Sequence, residues 1–280
     1  MKCRKCAQAQ DWKDMIKDIT IGQYYQAESI IHRLDPRVKL MGTLVFIISL
    51  FLGMNIWIYA FVTVALAAVI AISKIPLKFM VRGLKSIVIL IIISAVFNLF
   101  LTPGETLIQI WKLTITYEGL KTAIFMVVRL VYLILGTSLM TLTTTPNNLT
   151  DGLEKGLGFL KYIKVPVHEI AMMMSIALRF IPILVEETDK IMKAQMARGA
   201  DFENGNIIKR AKAMVPILVP LFVSAFRRAN ELAMAMEARC YHGSEGRTKM
   251  KPLKYAKRDK IAYLCMFAYL GVLIFIKIFV

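Results

Sequence analysis

The feature that most constrains this chain is a series of long apolar blocks separated by basic segments. The blocks occupy residues 40–52, 56–72, 86–101, 120–141 and 261–280. A bilayer admits only structures whose backbone polar groups bond one another, and an apolar helix of about 20 residues crosses it. Because 57% of the residues are apolar, a soluble domain of this length is a poor alternative. We therefore expect an all-α integral membrane protein with about five transmembrane helices.

The positive charge of the chain, formally +17, is concentrated between these blocks. Residues 73–85 contain four cations and no acid, and a second basic group precedes the first block. Cytoplasmic loops of membrane proteins carry such an excess of Lys and Arg, so both segments are predicted to be cytoplasmic. The charge therefore indicates a membrane surface and not a nucleic-acid partner. The polar N-terminus also lacks the short apolar core of a cleavable signal peptide.

The same pattern predicts five regions along the chain. A polar N-terminal segment (1–31) is followed by a four-span membrane region (32–145) and a cytoplasmic region of long amphipathic helices (146–243). A basic linker (244–260) and a last span (261–280) complete the chain as predicted. The first helix is predicted to start at Asp35 and Pro36, since Asp is a favoured N-cap and Pro a favoured first helical residue.

Two long helices are predicted between residues 171 and 243, and each ends in a similar tripeptide. The tripeptides are Ala197-Arg198-Gly199 and Ala238-Arg239-Cys240. Gly199 suits a left-handed C-cap, and an Arg in the last turn complements the negative end of the helix dipole. Each Arg is therefore either an ordinary helix-end cation or a plug for a carboxylate or a backbone cage on another protein.

The same two helices are rich in small residues and methionines. Ala225, Ala229 and Ala233 recur at helical spacing, a pattern that lets another backbone come close. The methionines are Met172, Met173, Met174, Met192, Met196, Met214, Met234 and Met236. They either fill a core or form a surface that packs against different partners.

Arg129 lies inside the fourth predicted span, where a charge is costly. It is either a functional residue or a packing cation bonded to a polar neighbour, for which Asn98 is a candidate. We favour packing, because the predicted spans contain no acid with which Arg129 could form a proton or ion relay.

Neither a metal site nor a catalytic site is predicted. Cys3 and Cys6 form either half of a zinc site or a pair of reduced thiols in a frayed tail, since the other half of a zinc site is missing. A secondary transporter would need a polar midplane site or an internal repeat, and a membrane enzyme would need clustered acids, His or a nucleophile. The sequence shows none of these and no Walker motif, so we expect no catalytic residue and no cofactor.

Several motifs together resemble the T component of energy-coupling factor transporters, the EcfT/CbiQ family. They are Leu34-Asp35-Pro36-Arg37-Val38-Lys39-Leu40, Ser138-Leu139-Met140-Thr141-Leu142-Thr143-Thr144-Thr145-Pro146, Arg179-Phe180-Ile181-Pro182, Ala194-Gln195-Met196-Ala197-Arg198-Gly199-Ala200-Asp201 and Arg227-Arg228-Ala229-Asn230-Glu231-Leu232-Ala233. Each motif alone is weak, but their order and spacing cover nearly the whole chain from His32 onward.

The resemblance implies a non-catalytic scaffold in the plasma membrane of a bacterium. In that family the T component joins a substrate-binding membrane subunit, the S component, to two cytoplasmic P-loop ATPases, and the complex imports a vitamin or a metal ion. Two Ala-Arg-Gly tripeptides end the coupling helices that dock onto the ATPases. Carried over to this chain, the docking residues are Ala197, Arg198, Gly199, Ala238, Arg239 and Cys240. Cys240 stands where the family pattern has Gly.

Overall fold

The computed structural model describes residues 24–53, 55–103, 106–110, 113–200, 202, 207–243 and 252–279. The helices of this part are α1 (Pro36–Leu50), α2 (Ile56–Ser73), α3 (Leu77–Leu101), α4 (Tyr117–Thr143), α5 (Pro146–Gly156), α6 (Val167–Ala197), α7 (Ile207–Glu237) and α8 (Lys257–Phe279), with a 3₁₀ helix at Gly158–Ile163. They form two compact units, whose sequence boundary falls within α5. We call residues 24–152 and 253–279 the bundle unit, and residues 153–243 the arm unit.

Four helices, α2, α4, α6 and α8, are long and apolar enough to cross a membrane. A fifth span would be α3, whose segments Leu77–Lys85 and Ile87–Leu101 meet at 61°. The predicted all-α membrane fold with about five spans is thereby confirmed. Helix α1 has only 15 residues, which is short for a span. Helix α6 lies in the region that was predicted to be cytoplasmic, although its residues 170–184 were expected to be apolar enough to enter the bilayer, and it has the length and composition of a span.

Residues 73–85, which were predicted to be a cytoplasmic loop, are largely helical, and the segment between α3 and α4 forms two strands. Residues 73–85 are helical from Leu77 onward, with Pro76 at the N-cap of α3. Between α3 and α4, strands β1 (Thr106–Ile110) and β2 (Leu113–Thr116) pair antiparallel. Their alternating and partly β-branched sequence is typical of a hairpin, so the signal for these strands was present in the sequence.

Two apolar clusters hold the bundle unit together. The first joins α1, α2 and α8 through Leu50, Ile58, Val62 and Leu273, which are all nearly inaccessible. The second joins α3 and α4 through Ile75, Met80 and Leu142. Burial of apolar side chains stabilises a fold by roughly 1.5–3 kcal/mol for each fully buried aliphatic residue.

The segment before α1 is fixed to the bundle unit by hydrogen bonds to the end of α4. The Tyr25 N–H donates to the Leu142 carbonyl at 2.9 Å. The Lys39 ammonium donates to the carbonyls of His32 and Thr143 at 3.1 and 2.8 Å. Burial lowers the pKa of His32 below its ordinary value, so its imidazole is neutral at pH 7.

The start of α1 is also the point where the first and last described helices meet. As predicted, Asp35 caps α1, with its Oδ1 accepting from the Arg37 N–H at 2.9 Å and Pro36 following. The Asp35 N–H in turn donates to Oδ1 of Asp259 at 2.9 Å, and Oδ2 of Asp259 accepts from the Ala256 N–H at 2.7 Å. Because Asp35 and Asp259 are 7% and 3% exposed, these bonds stabilise the junction of α1 and α8 in a buried setting.

Arg129 of α4 is a packing residue in this structure. Its Nε donates to the Tyr59 hydroxyl at 2.9 Å, and its guanidinium lies 5.1 Å from the centre of the Phe51 ring. The predicted partner, Asn98, was wrong: its amide donates to the Ser94 carbonyl of its own helix at 2.8 Å. Tyr59 is the partner because α2 carries its ring to the buried side of α4, where Tyr59 also packs against Phe125.

We predict that Arg129→Gln lowers the thermal stability of the protein but leaves the uptake that the family resemblance implies nearly unchanged per folded complex. The shorter amide loses the ring contact and leaves the buried Tyr59 hydroxyl without its donor, at a cost of about 1–3 kcal/mol. Tyr59→Phe is the matched variant and should cost at least as much, because it leaves the buried Arg129 guanidinium without this acceptor. Melting in detergent, followed by size-exclusion chromatography, measures the loss. An unchanged melting temperature combined with abolished uptake would show that Arg129 has a functional role.

A close helix contact gives a second prediction. A Cβ added at Gly136 of α4 would overlap the ring of Phe46 of α1, whereas one added at Gly42 of α1 meets no atom within 4 Å. Gly136→Ala should therefore destabilise the bundle unit by about 1–3 kcal/mol, and Gly42→Ala should not. Adding Phe46→Leu to Gly136→Ala should restore part of the loss in the same melting assay. Equal melting temperatures for the two alanine variants would contradict this contact.

Candidate functional site

The candidate site is carried by the two long helices of the arm unit, α6 and α7, which pack against each other. Glu187 of α6 joins them: its carboxylate accepts from the Ser224 hydroxyl and lies 3.0 Å from the Arg228 guanidinium of α7. Ser224 is 6% exposed, so its hydroxyl depends on this bond. Sequence analysis did not identify this contact, since the partners are separated by 37 and 41 positions.

Small side chains of α7 line a groove between the two helices. Ala225, Ala229 and Ala233 of α7 line a groove of about 310 Å³. Three large apolar side chains of α6 also line this groove: Ile176, Phe180 and Leu184. Ala229 and Ala233 are exposed along this groove, so the close backbone approach that their spacing predicts stays a prediction.

The first helix end has the geometry that its sequence predicts. Helix α6 ends at Ala197, Arg198 is its C-cap, and Gly199 has a φ of +90°. The N–H of Gly199 donates to the Met196 carbonyl and the N–H of Ala200 to the Gln195 carbonyl, both at 3.0 Å. This pair of bonds is a Schellman motif, which satisfies the last carbonyls of the helix.

The second helix end repeats this motif without a glycine. After α7 ends at Glu237, the N–H of Cys240 donates to the Glu237 carbonyl at 2.8 Å, and that of Tyr241 donates to the Met236 carbonyl at 3.1 Å. Cys240 has a φ of +55°, so it takes the left-handed position of Gly199. Arg198 and Arg239 therefore occupy the same place in the same backbone turn. The substitution of Cys for Gly does not change this geometry.

The side chains of both arginines are accessible to a partner protein at these helix ends. Arg198 and Arg239 are exposed, and neither takes part in an ion pair among the residues that the structure describes. Their role in docking, like that of the four residues beside them, stays a prediction.

The methionines of the two helices lie mostly on the surface. Met173, Met174, Met196, Met214 and Met234 are exposed, and the other three are intermediate. Of the two interpretations that the sequence left open, core filling is therefore wrong for these five. Exposed, flexible thioether side chains can adapt to a partner surface.

Within the described ranges, no group of three or more His, Cys, Asp and Glu side chains could hold a metal ion. Cys3 and Cys6 lie outside those ranges. One further contact that sequence analysis missed is between His168 and Glu154, whose Nδ1 and Oε1 are 2.8 Å apart near the start of α6. No sequence pattern predicts this contact, because two single residues 14 positions apart form no periodic pattern.

Comparison with known proteins adds independent information. The model of the family described as "Cobalt transport protein" (CbiQ) matches residues 27–250. A relative from Clostridium kluyveri named "Energy-coupling factor transporter transmembrane protein EcfT" is 58% identical over 254 residues, covering 90% of this chain and 94% of the relative. The protein of the same name from Bacillus subtilis is 47% identical over 264 residues, covering 94% of this chain and all of the relative.

The two caps give a prediction about backbone strain. A non-glycine residue in the left-handed region costs about 1 kcal/mol or more. Gly199→Ala should therefore destabilise the first cap by about 1 kcal/mol, and Cys240→Gly should stabilise the second by up to about that amount. Hydrogen exchange at the amides of Ala200 and Tyr241 measures each cap separately. Cys240→Ala is the control for the thiol and should leave exchange unchanged. Faster exchange of the Tyr241 amide in Cys240→Gly would contradict the assignment of backbone strain to Cys240.

Proposed function

Since the chain belongs to the CbiQ family, with the energy-coupling factor transporter transmembrane proteins EcfT as its relatives, we propose that it is the scaffold of an ATP-driven importer. It is a multi-pass protein of a bacterial membrane. In the proposed complex it couples ATP hydrolysis by two cytoplasmic P-loop ATPases to the uptake of a vitamin or a metal ion. A separate substrate-binding membrane subunit, the S component, selects the substrate, and this chain has no catalytic role of its own.

The observation that carries the proposal is the repeated helix end. Two long helices of one unit each end in a Schellman motif that presents an exposed Arg at the C-cap. An Arg held at a fixed backbone position is suited to a matching pocket on a partner, because its guanidinium offers five donors in a rigid plane. Two such ends suit a pair of like partners, with one ATPase for each.

The packing of the two helices supports a mechanical role. A signal from ATPase closure reaches the membrane only through elements that move as rigid bodies. Glu187 joins α6 to α7 through both Ser224 and Arg228, so displacement of one helix end is carried to the other helix. The exposed methionines and other apolar side chains of the arm unit would provide the surface for the S component.

The experiment that tests the proposal changes the two arginines. Arg198→Ala and Arg239→Ala should each weaken ATPase binding, because truncation of a buried, charge-paired Arg at an interface costs about 2–5 kcal/mol. The double variant should be worse than either single variant, and less than additive if both ends hold one ATPase dimer. Pull-down of the ATPases and an uptake assay measure the two effects.

Arg227→Ala is the matched control, since Arg227 is an exposed Arg of α7 that lies away from its end. It should bind the ATPases as the unchanged protein does. The melting temperature of the isolated chain should be the same in all of these variants. If the double variant binds ATPases and supports uptake normally, Arg198 and Arg239 are only helix-end cations.

A further inference from the structure

The last helix, α8, has a buried face and an exposed face. Asp259 and Leu273 lie on the face that packs into the bundle unit and are 3% and 0% exposed. Ile261, Leu264 and Phe267 lie on the other face and are 61%, 70% and 65% exposed. Because residues three, four or seven positions apart share a face of a helix, these three form one apolar stripe. In a membrane protein such a stripe is a surface for lipid tails or for another apolar helix.

Two lysines lie one helical turn before this stripe. Lys257 precedes Ile261 by four positions, and Lys260 precedes Leu264 by four, so both lysines lie on the same side of α8 as the stripe. Side chains of a helix tilt toward its N-terminus, and Lys extends its ammonium group to the polar boundary of a membrane. Both ammonium groups are therefore directed to the level of the lipid headgroups.

Two more cations complete this group. Lys254, Lys257, Arg258 and Lys260 are all exposed, and we call these four residues the basic collar. Tyr255, inside the collar, is half exposed, and the Arg37 guanidinium lies 3.9 Å from the centre of its ring. Tyrosine is enriched at the membrane interface, which is consistent with a collar at headgroup depth.

The four residues of the collar form no ion pair within the described part of the chain. Asp259 is the one acid in residues 252–260, and both of its oxygens accept backbone N–H bonds, from Asp35 and Ala256. Cations at a helix N-terminus also oppose the helix dipole, so the collar does not serve the stability of α8.

We propose that the basic collar binds the phosphate headgroups of anionic phospholipids in the cytoplasmic leaflet, with their acyl chains along the Ile261, Leu264 and Phe267 stripe. The charge of the collar is complementary to the phosphate, and the stripe below it is complementary to the tails. Each cation near an anionic membrane surface strengthens binding by about fivefold, so four cations with no internal partner give a marked preference for anionic lipid. The inference needs a membrane-spanning α8 whose N-terminal end lies at the cytoplasmic side, and it is independent of ATPase docking.

The test uses the full-length chain in nonionic detergent, titrated with dioleoylphosphatidylglycerol or with dioleoylphosphatidylcholine. A ligand that binds the folded state raises the melting temperature, so the anionic lipid should raise it further than the zwitterionic one. Bound lipids are counted by native mass spectrometry in the same samples. Lys257→Gln with Lys260→Gln should weaken the phosphatidylglycerol effect by roughly 25-fold in concentration. Lys257→Arg with Lys260→Arg should retain it.

A matched variant changes two exposed lysines of α6 and α7 to Gln: Lys190 and Lys212. It should keep the full preference for phosphatidylglycerol. The proposal is wrong if the collar variant and this control respond equally to the two lipids. It is also wrong if the collar variant keeps the lipid preference but loses the ATPases in a pull-down, because the collar would then be a protein contact. A collar variant that does not fold is replaced by the single Lys257→Gln and Lys260→Gln variants, each expected to show about a fivefold effect.

Discussion

The structure depends on the requirement that a backbone in hydrocarbon satisfies its own hydrogen bonds. The polar side chains within the apolar helices follow the same rule. Thr63, Asn98 and Thr137 each donate to the carbonyl four residues earlier in their own helix. Two contacts between helices that involve a charged side chain lie in the helix interiors: the Arg129 Nε donates to the Tyr59 hydroxyl, and Glu187 binds Ser224 and Arg228. The exposed Arg198 and Arg239, by contrast, lie at helix ends, where a cation without an ion pair among the described residues can meet a partner.

Features that depend on a few neighbouring residues could be predicted from the sequence. The Asp35 cap with Pro36, and the left-handed Gly199, are decided by local backbone chemistry, and both are present. Features that join distant residues could not be predicted, because a sequence pattern does not show which helices face each other. The Tyr59 partner of Arg129 and the Ser224 partner of Glu187 are of this kind.

The assignment of spans shows the limits of composition. The block at 40–52 is apolar, but the helix that contains it, α1, is short. In α6, Arg179 and Pro182 interrupt the apolar run in the sequence, yet the helix continues through Pro182 from Val167 to Ala197. A helix in a folded protein tolerates such a residue when neighbouring helices support it, which a count of apolar residues does not register.

The bonds between Asp35 and Asp259 have a consequence for biosynthesis. The bundle unit is discontinuous in the chain, since the whole arm unit is inserted between its first part and α8. Helix α8 supplies Leu273 to the central apolar cluster and Asp259 to the start of α1. A ribosome must therefore translate the complete arm unit before the bundle can close. During that interval the inner face of α1 and α2 is left to the insertion machinery or to lipid, and a nascent chain that stops in the linker leaves an open bundle for quality-control proteases.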